Sequence, residues 1–212
     1  MLKSNFLWQW SESIGELELG FNSNLRDEVK QLILNRHLAS EKSIDTFLSG
    51  EGPLYDPFLF SDMKKSVDRI NKAIENQEPI LIYGDYDADG MTAASVMKSA
   101  LDELGAEAQV YLPNRFTDGY GPNLDVYQYY INNENINLII TVDNGVAGVE
   151  AIAWAQENGV DVIITDHHSM PDQLPNAYAI IHPEHPESQY PFKYLAGVGV
   201  AFKVACALLE YA

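Results

Sequence analysis

The sequence predicts an α/β protein: a doubly wound, mainly parallel sheet with helices on both faces. Three observations predict it. Short runs rich in Ile and Val alternate with stretches of helical spacing along residues 61–212. Several of these runs are apolar without interruption, as expected of strands covered on both faces. Strands separated by helical segments imply right-handed crossovers, which lay the strands parallel.

Taken in order, DMKKSVDRINKAIENQ (62–77) places Met63, Val67, Ile70 and Ala73 on one helical stripe. PILIYGD (79–85) reads as a buried strand. GMTAASVMKSALDEL (90–104) returns to helix and stops at Gly105, a residue suited to a left-handed C-cap. AQVYLPN (108–114) is the next strand, followed by a helix over LDVYQYYINNEN (124–135) and a strand over NLIITVDNG (137–145). VAGVEAIAWAQENG (146–159) is helical and VDVIITDHH (160–168) is a strand. After a Pro-rich stretch, 171–191, the segment LAGVGVAFKVACALLEYA reads as a helix entered through small residues. Residues 1–60 show no clear period, and FLSGEGPLYDPF (47–58) carries the Gly, Pro and Asp punctuation of a loop. The division expected is an amino-terminal extension and loop over 1–60 and the α/β domain over 61–212.

The net charge of −18, with only 13 Lys and Arg spread along 212 residues, argues against a module that grips nucleic acid through its phosphates. It does not argue against a site that concentrates carboxylates around divalent cations, because bound cations reverse the local field. Cys206 is the only cysteine, so an internal disulfide and a thiolate metal cluster are excluded; its setting, VACALL, suggests a small buried residue. No apolar run reaches the roughly 18 residues of a membrane span, and MLKSNFLWQWSES does not read as an export signal. The expectation is a soluble, cytoplasmic protein without membrane contact.

In an open parallel sheet, ligands gather at the carboxyl ends of the strands. Three strands here run straight into metal-binding side chains. ILIYG leads to Asp85, Asp87 and Asp89, LIITV to Asp143, and VIIT to Asp166, His167 and His168. Any one cluster has an ordinary reading as a solvated loop or a cap, and Asp89 before a helix would serve as an N-cap. Three at equivalent positions point to one site. Carboxylates with one or two imidazoles suit Mn²⁺ or Mg²⁺, and the set exceeds what one ion needs. Two ions about 3.5–4 Å apart would clamp a phosphate and generate a hydroxide nucleophile. Asp143, alone after the middle strand, is the candidate bridge.

The motifs YGDYDADG (83–90), TVDNGV (141–146) and TDHH (165–168) resemble successive motifs of the DHH phosphoesterase superfamily. The form DYDADG, with YLPNRFTDGYGPN (111–123), YPFKYLAGVGVAFK (190–203) and YDPFLFSDMKKSVDRI (55–70), resembles its RecJ branch of single-strand-specific exonucleases. The likeness covers about residues 50–212. It implies Asp87, Asp89, Asp143 and His167 as metal ligands, with Asp85, Asp143 and His168 in catalysis and Asp166 orienting ligands. It also implies 5′ to 3′ hydrolysis of single-stranded DNA in repair and recombination, with single-strand-binding protein as a further partner. In that branch another Asp ligand follows the last helix, then a DHHA1-type domain and an oligonucleotide-binding fold that hold the DNA. The chain therefore reads as the amino-terminal part of such an enzyme.

Other residues are weighed against plainer roles. His182 and His185, separated by Pro183, are read as loop residues, and His37 as a helix-surface residue. Gly197 and Gly199 either pack closely or present backbone N–H groups to a phosphate. For Arg115, phosphate contact is favoured over solvation. Trp8, Trp10 and the tyrosines at 127–130 are read as core, not base-stacking, residues. Two other functions remain open at this stage: a phosphodiesterase for short oligoribonucleotides or cyclic dinucleotides, and a non-catalytic scaffold.

Overall fold

The computed structural model describes residues 25–36, 38 and 40–211; His37, Trp8 and Trp10 lie outside the described residues. The chain divides into two compact units, Met1–Leu54 and Tyr55–Ala212.

In the first unit, α1 (Asp27–Leu34) and α2 (Glu41–Ser49) bring Ile33 and Ile44 together with Leu25 and Leu38. Ser40 and Ser43 form a reciprocal capping box at the start of α2, and Gly50 ends it with a φ of 72°. These helices run over eight and nine residues, about two turns each, which is too short for a helical period to stand out in the sequence.

The second unit carries five parallel strands in the order β2-β1-β3-β4-β5. They are β1 (Ile80–Tyr83), β2 (Ala108–Tyr111), β3 (Leu138–Val142), β4 (Asp161–Thr165) and β5 (Ala179–Ile181). Side chains alternate across the sheet. Ile80, Ile82, Leu138, Ile140 and Ile163 face one core, shared with residues of α3 (Met63–Glu75), α4 (Ala88–Glu103) and α7 (Gly197–Tyr211). Leu81, Tyr83, Ile139, Val162 and Ile164 face the other, covered from α5 (Leu124–Asn133) and α6 (Val149–Glu157). Both faces are thus covered, which is why the strands read as unbroken apolar runs. Tyr127 is fully buried, whereas Tyr129 is exposed.

Two local readings change. The strand β5 falls inside the Pro-rich stretch that shows no strand signal; three residues are too few to display a pattern, and its pairing to β4 creates it. The helix α4 begins at Ala88, with Asp87 as its N-cap accepting from the Gly90 N–H at 3.0 Å. Asp89, expected as the cap, lies in the first turn instead, where its carboxylate is directed to another helix. Among the described residues, no helix is long and apolar enough to cross a membrane.

Candidate metal centre

The parallel register brings the carboxyl ends of β1, β3 and β4 side by side, and each delivers its residues there. After β1, Asp85 is buried and accepts the Tyr86 N–H at 2.6 Å. The start of α4 closes over it: a Cβ on Gly90 would lie 2.6–2.7 Å from Asp85 atoms, so only glycine permits this approach. Burial first, and the neighbouring Asp87 charge after it, raise the Asp85 pKa.

After β3, Asp143 turns back with a φ of 62°, a left-handed conformation that Asp and Asn tolerate better than most residues. Its backbone is tied down on several sides. Its N–H donates to the Thr165 carbonyl at 3.0 Å. Asn144 Nδ2 donates to the Val142 carbonyl at 3.0 Å, and Thr141 Oγ1 to the Asn144 carbonyl at 2.7 Å. The carboxylate is 2% exposed. Burial, then repulsion from Asp89 and more weakly Asp87 and Asp166, push its pKa up to about 7, against an opposing pull from His168.

After β4, Asp166 acts as an organiser. Its Oδ1 accepts the His167 and His168 N–H groups at 2.7 and 3.1 Å and stands 2.7 Å from His168 Nδ1. Its Oδ2 accepts the Val146 N–H at 3.0 Å. Burial alone would raise its pKa, but these bonds outweigh it and hold it below the ordinary value. The His168 ring is shifted the other way, raised chiefly by its bond to Asp166. With Nδ1 held there, Nε2 is the nitrogen left for a ligand.

These side chains converge. His167 Nε2 lies 3.1 Å from Asp143 Oδ1 and 3.5 Å from Asp89 Oδ2. Two sets of ligand atoms lie within 4.8 Å of one another, Asp143 with His167 and His168, and Asp85 with Asp87 and Asp143. Asp143 belongs to both. Its Oδ1 is also buried and accepts no hydrogen bond from the described residues, although His167 Nε2 stands 3.1 Å away. Ligand atoms about 2.1 Å from one octahedral ion would be about 3 Å apart, so the pair is spaced as two ligands of a common cation. A buried, unsatisfied carboxylate oxygen among so many acidic groups fits a divalent metal.

Asp89 has a further role. It accepts the Gly197 and Val198 N–H groups at 2.8 Å each, tying the amino terminus of α7 to the cluster. A Cβ on Gly197 would collide with Asp143 Oδ1, so glycine is required where α7 meets the site. The Gly197 N–H is therefore engaged by Asp89 and does not face an open anion site. Gly199 packs against Leu195. The exposed Arg115 has its guanidinium carbon 5.3 Å from the centre of the Tyr86 ring, and Tyr86 stands between Asp85 and Asp87 in the sequence.

His182, which the sequence presents as a loop position, is part of the construction. It sits just past β5 and is fully buried. Its Nε2 lies 2.8 Å from the His168 carbonyl, and its Nδ1 accepts the Glu184 N–H at 3.0 Å. A carbonyl only accepts, so Nε2 carries the proton and the ring is neutral; burial keeps its pKa below the usual value. His185 stays in the loop, 3.3 Å from Ser61 Oγ. Asn144, Thr141 and Thr165, which hold Asp143, are likewise not singled out by the sequence. Their signal is position beside a strand end.

With acidic and imidazole side chains gathered at the strand ends of a doubly wound sheet, the chain belongs to the DHH family: residues 79–212 match the DHH family, N-terminal domain. Among curated relatives, it is similar to the single-stranded-DNA-specific exonuclease RecJ of Bacillus subtilis (strain 168), 50% identical over 182 residues, covering 85% of this chain and 23% of the relative. With RecJ of Escherichia coli (strain K12) it shares 36% identity over 184 residues, 86% of this chain and 31% of the relative. The chain thus spans about a quarter to a third of the length of these relatives. A crystal structure of exonuclease RecJ bound to manganese superposes with a TM-score of 0.67 at 31% identity, covering 75% of this chain and 40% of that one. RecJ from Thermus thermophilus in complex with Mn²⁺ gives a TM-score of 0.64 at 25% identity, covering 86% and 27%.

Proposed function

We propose that this chain is the metal-binding part of a 5′ to 3′ exonuclease that hydrolyses phosphodiester bonds of single-stranded DNA, working in repair and recombination in the cytoplasm. The observation that carries the reading is Asp143, a buried carboxylate shared by two ligand sets and without a hydrogen bond to its Oδ1. The relatives named RecJ exonucleases, with solved structures holding manganese, supply the substrate class and the ion.

Two Mn²⁺ (or Mg²⁺) ions, when bound, would polarise the scissile phosphate and lower the pKa of a nucleophilic water. Asp87, Asp89, Asp143 and His167 would hold them, and Asp143 is the residue common to both candidate ligand sets. Asp85 and His168 stand close enough to complete the ligand sets or to contact the phosphate. Asp166 fixes both histidines through their backbone N–H groups and the His168 ring. Arg115, beside the Tyr86 ring, would meet a substrate phosphate at the outer edge. Single-strand-binding protein is a partner of the same reading. The net charge of −18 leaves most DNA affinity to sequence outside these 212 residues.

The test is hydrolysis by the full gene product in Mn²⁺, comparing a 5′-labelled single strand with a cyclic dinucleotide. Release of mononucleotides from the strand alone, abolished by Asp143→Asn, is expected. Preference for the cyclic dinucleotide would refute the substrate class, and activity retained in the variant would refute the bridging role.

A further inference from the structure

Beside the cluster, on the side of His167, lies a cavity of about 380 Å³ lined by His167, Ser169, Glu184, Lys193, Tyr194 and Leu195. That volume is in the range of pockets for small ligands, roughly 300–1,000 Å³. We propose that it receives the nucleoside of a nucleotide whose phosphate lies at the carboxylate–imidazole cluster, with its base stacked on Tyr194. This rests on the phosphodiesterase reading and adds to it a binding site for the base.

Three observations carry it. His167 belongs both to the cavity wall and to a ligand set, so the cavity adjoins the cluster. Next, Tyr194 is 85% exposed, a large aromatic surface left in water in the lining of the cavity. Its ring has an edge-on contact with Phe192 at 5.9 Å, so a face remains for a base, and base–aromatic stacking tolerates any base. Finally, the wall is fixed relative to the cluster. Asp89 holds the N–H groups of Gly197 and Val198 just beyond Tyr194 and Leu195. Lys193 Nζ donates to the Pro183 carbonyl at 2.5 Å and reaches the Ser188 carbonyl at 3.5 Å, bracing the loop.

The polarity of the cavity suits the uncharged part of a nucleotide. Lys193, the cation of the lining, is turned to backbone carbonyls, and the Glu184 carboxylate would repel a phosphate. Glu184 and Ser169 offer hydrogen-bonding groups to a sugar or a base edge. The phosphate therefore belongs at the cluster and the nucleoside in the cavity.

The test is calorimetric titration of the 212-residue chain in Mn²⁺ with thymidine 5′-monophosphate and, separately, with inorganic phosphate. Wild type should bind the nucleotide more tightly than phosphate. Tyr194→Ala, at an exposed position, should weaken the nucleotide about tenfold, in line with loss of one stacked base, and leave phosphate unchanged. Tyr194→Phe should stay within about twofold of wild type. Nucleotide binding no tighter than phosphate, or unaltered by Tyr194→Ala, overturns the proposal, as does an equal loss for both ligands. Phosphate binding that is indifferent to Mn²⁺ overturns the metal reading itself and the cavity assignment with it.

Discussion

Replacing Asp143 by Asn should make the metal-free protein more stable at alkaline pH while removing its response to Mn²⁺. The substitution keeps the shape of the side chain, and Asn accepts the φ of 62° that Ala would adopt only with strain. The folded state holds the Asp143 proton up to about pH 7, whereas the unfolded chain releases it near 3.8. Stability therefore falls as pH rises through that window, and the deficit is complete above about pH 7. A difference of that size corresponds to about 4 kcal/mol as a ceiling. Asp89 and His167 are 24% and 28% exposed, so water and salt screen part of this repulsion. About 2 kcal/mol is the working figure, or roughly 4–8 °C in Tm for a chain of this size. Thermal melts at pH 8 and pH 4.5, with chelator and with Mn²⁺, measure it. The Asp143→Asn variant should show a higher Tm at pH 8, change little at pH 4.5, and lose most of the stabilisation wild type gains from Mn²⁺. Equal melting at pH 8 without metal, or an equal gain at both pH values, would show that the buried Asp143 carboxylate carries no such penalty.

Other perturbations test the surrounding construction. His182→Ala should lower Mn²⁺ affinity by about tenfold, the scale of losing a supporting bond to a ligand segment; His182→Asn, which can still donate to the His168 carbonyl, should restore part of it in the same titration. Gly197→Ala should displace α7 from Asp143, since its Cβ would collide with Oδ1; calorimetry should show Mn²⁺ binding weakened about tenfold or more, on the same scale as other supporting residues, and unchanged affinity would mean that the helix gives way easily. Binding of single-stranded DNA by these 212 residues should be weak and vanish between about 50 and 200 mM salt; tight, salt-resistant binding in a filter assay would show a phosphate-gripping surface that the charge does not reveal.

The fold is legible because both sheet faces are covered, so β1, β3 and β4 announce themselves as apolar runs and each ends in its candidate ligands. The convergence of Asp87, Asp89, Asp143 and His167 follows from that topology, since parallel neighbouring strands must bring their carboxyl ends together. What the sequence hides depends on contacts between distant segments. His182 looks like any loop histidine until β5 pairs with β4 and carries it beneath the His168 carbonyl. Gly197 suggests a helix start open to an anion, and only the reach of Asp89 from α4 shows its N–H to be engaged. The helices α1 and α2 leave little trace because two turns carry little periodicity. The cap of α4 falls at Asp87, two residues before the expected Asp89, because DYDADG offers three equivalent carboxylates and the local backbone selects among them.

Mn²⁺ titration followed by electron paramagnetic resonance shows whether Asp143 joins two cations in one site. Two ions about 3.5–4 Å apart couple magnetically. The isolated-ion spectrum at low loading should be replaced, as the second equivalent binds, by the spectrum of a coupled pair, and Asp143→Asn should abolish the pair. Saturation at one ion, or two ions that never couple, would contradict it.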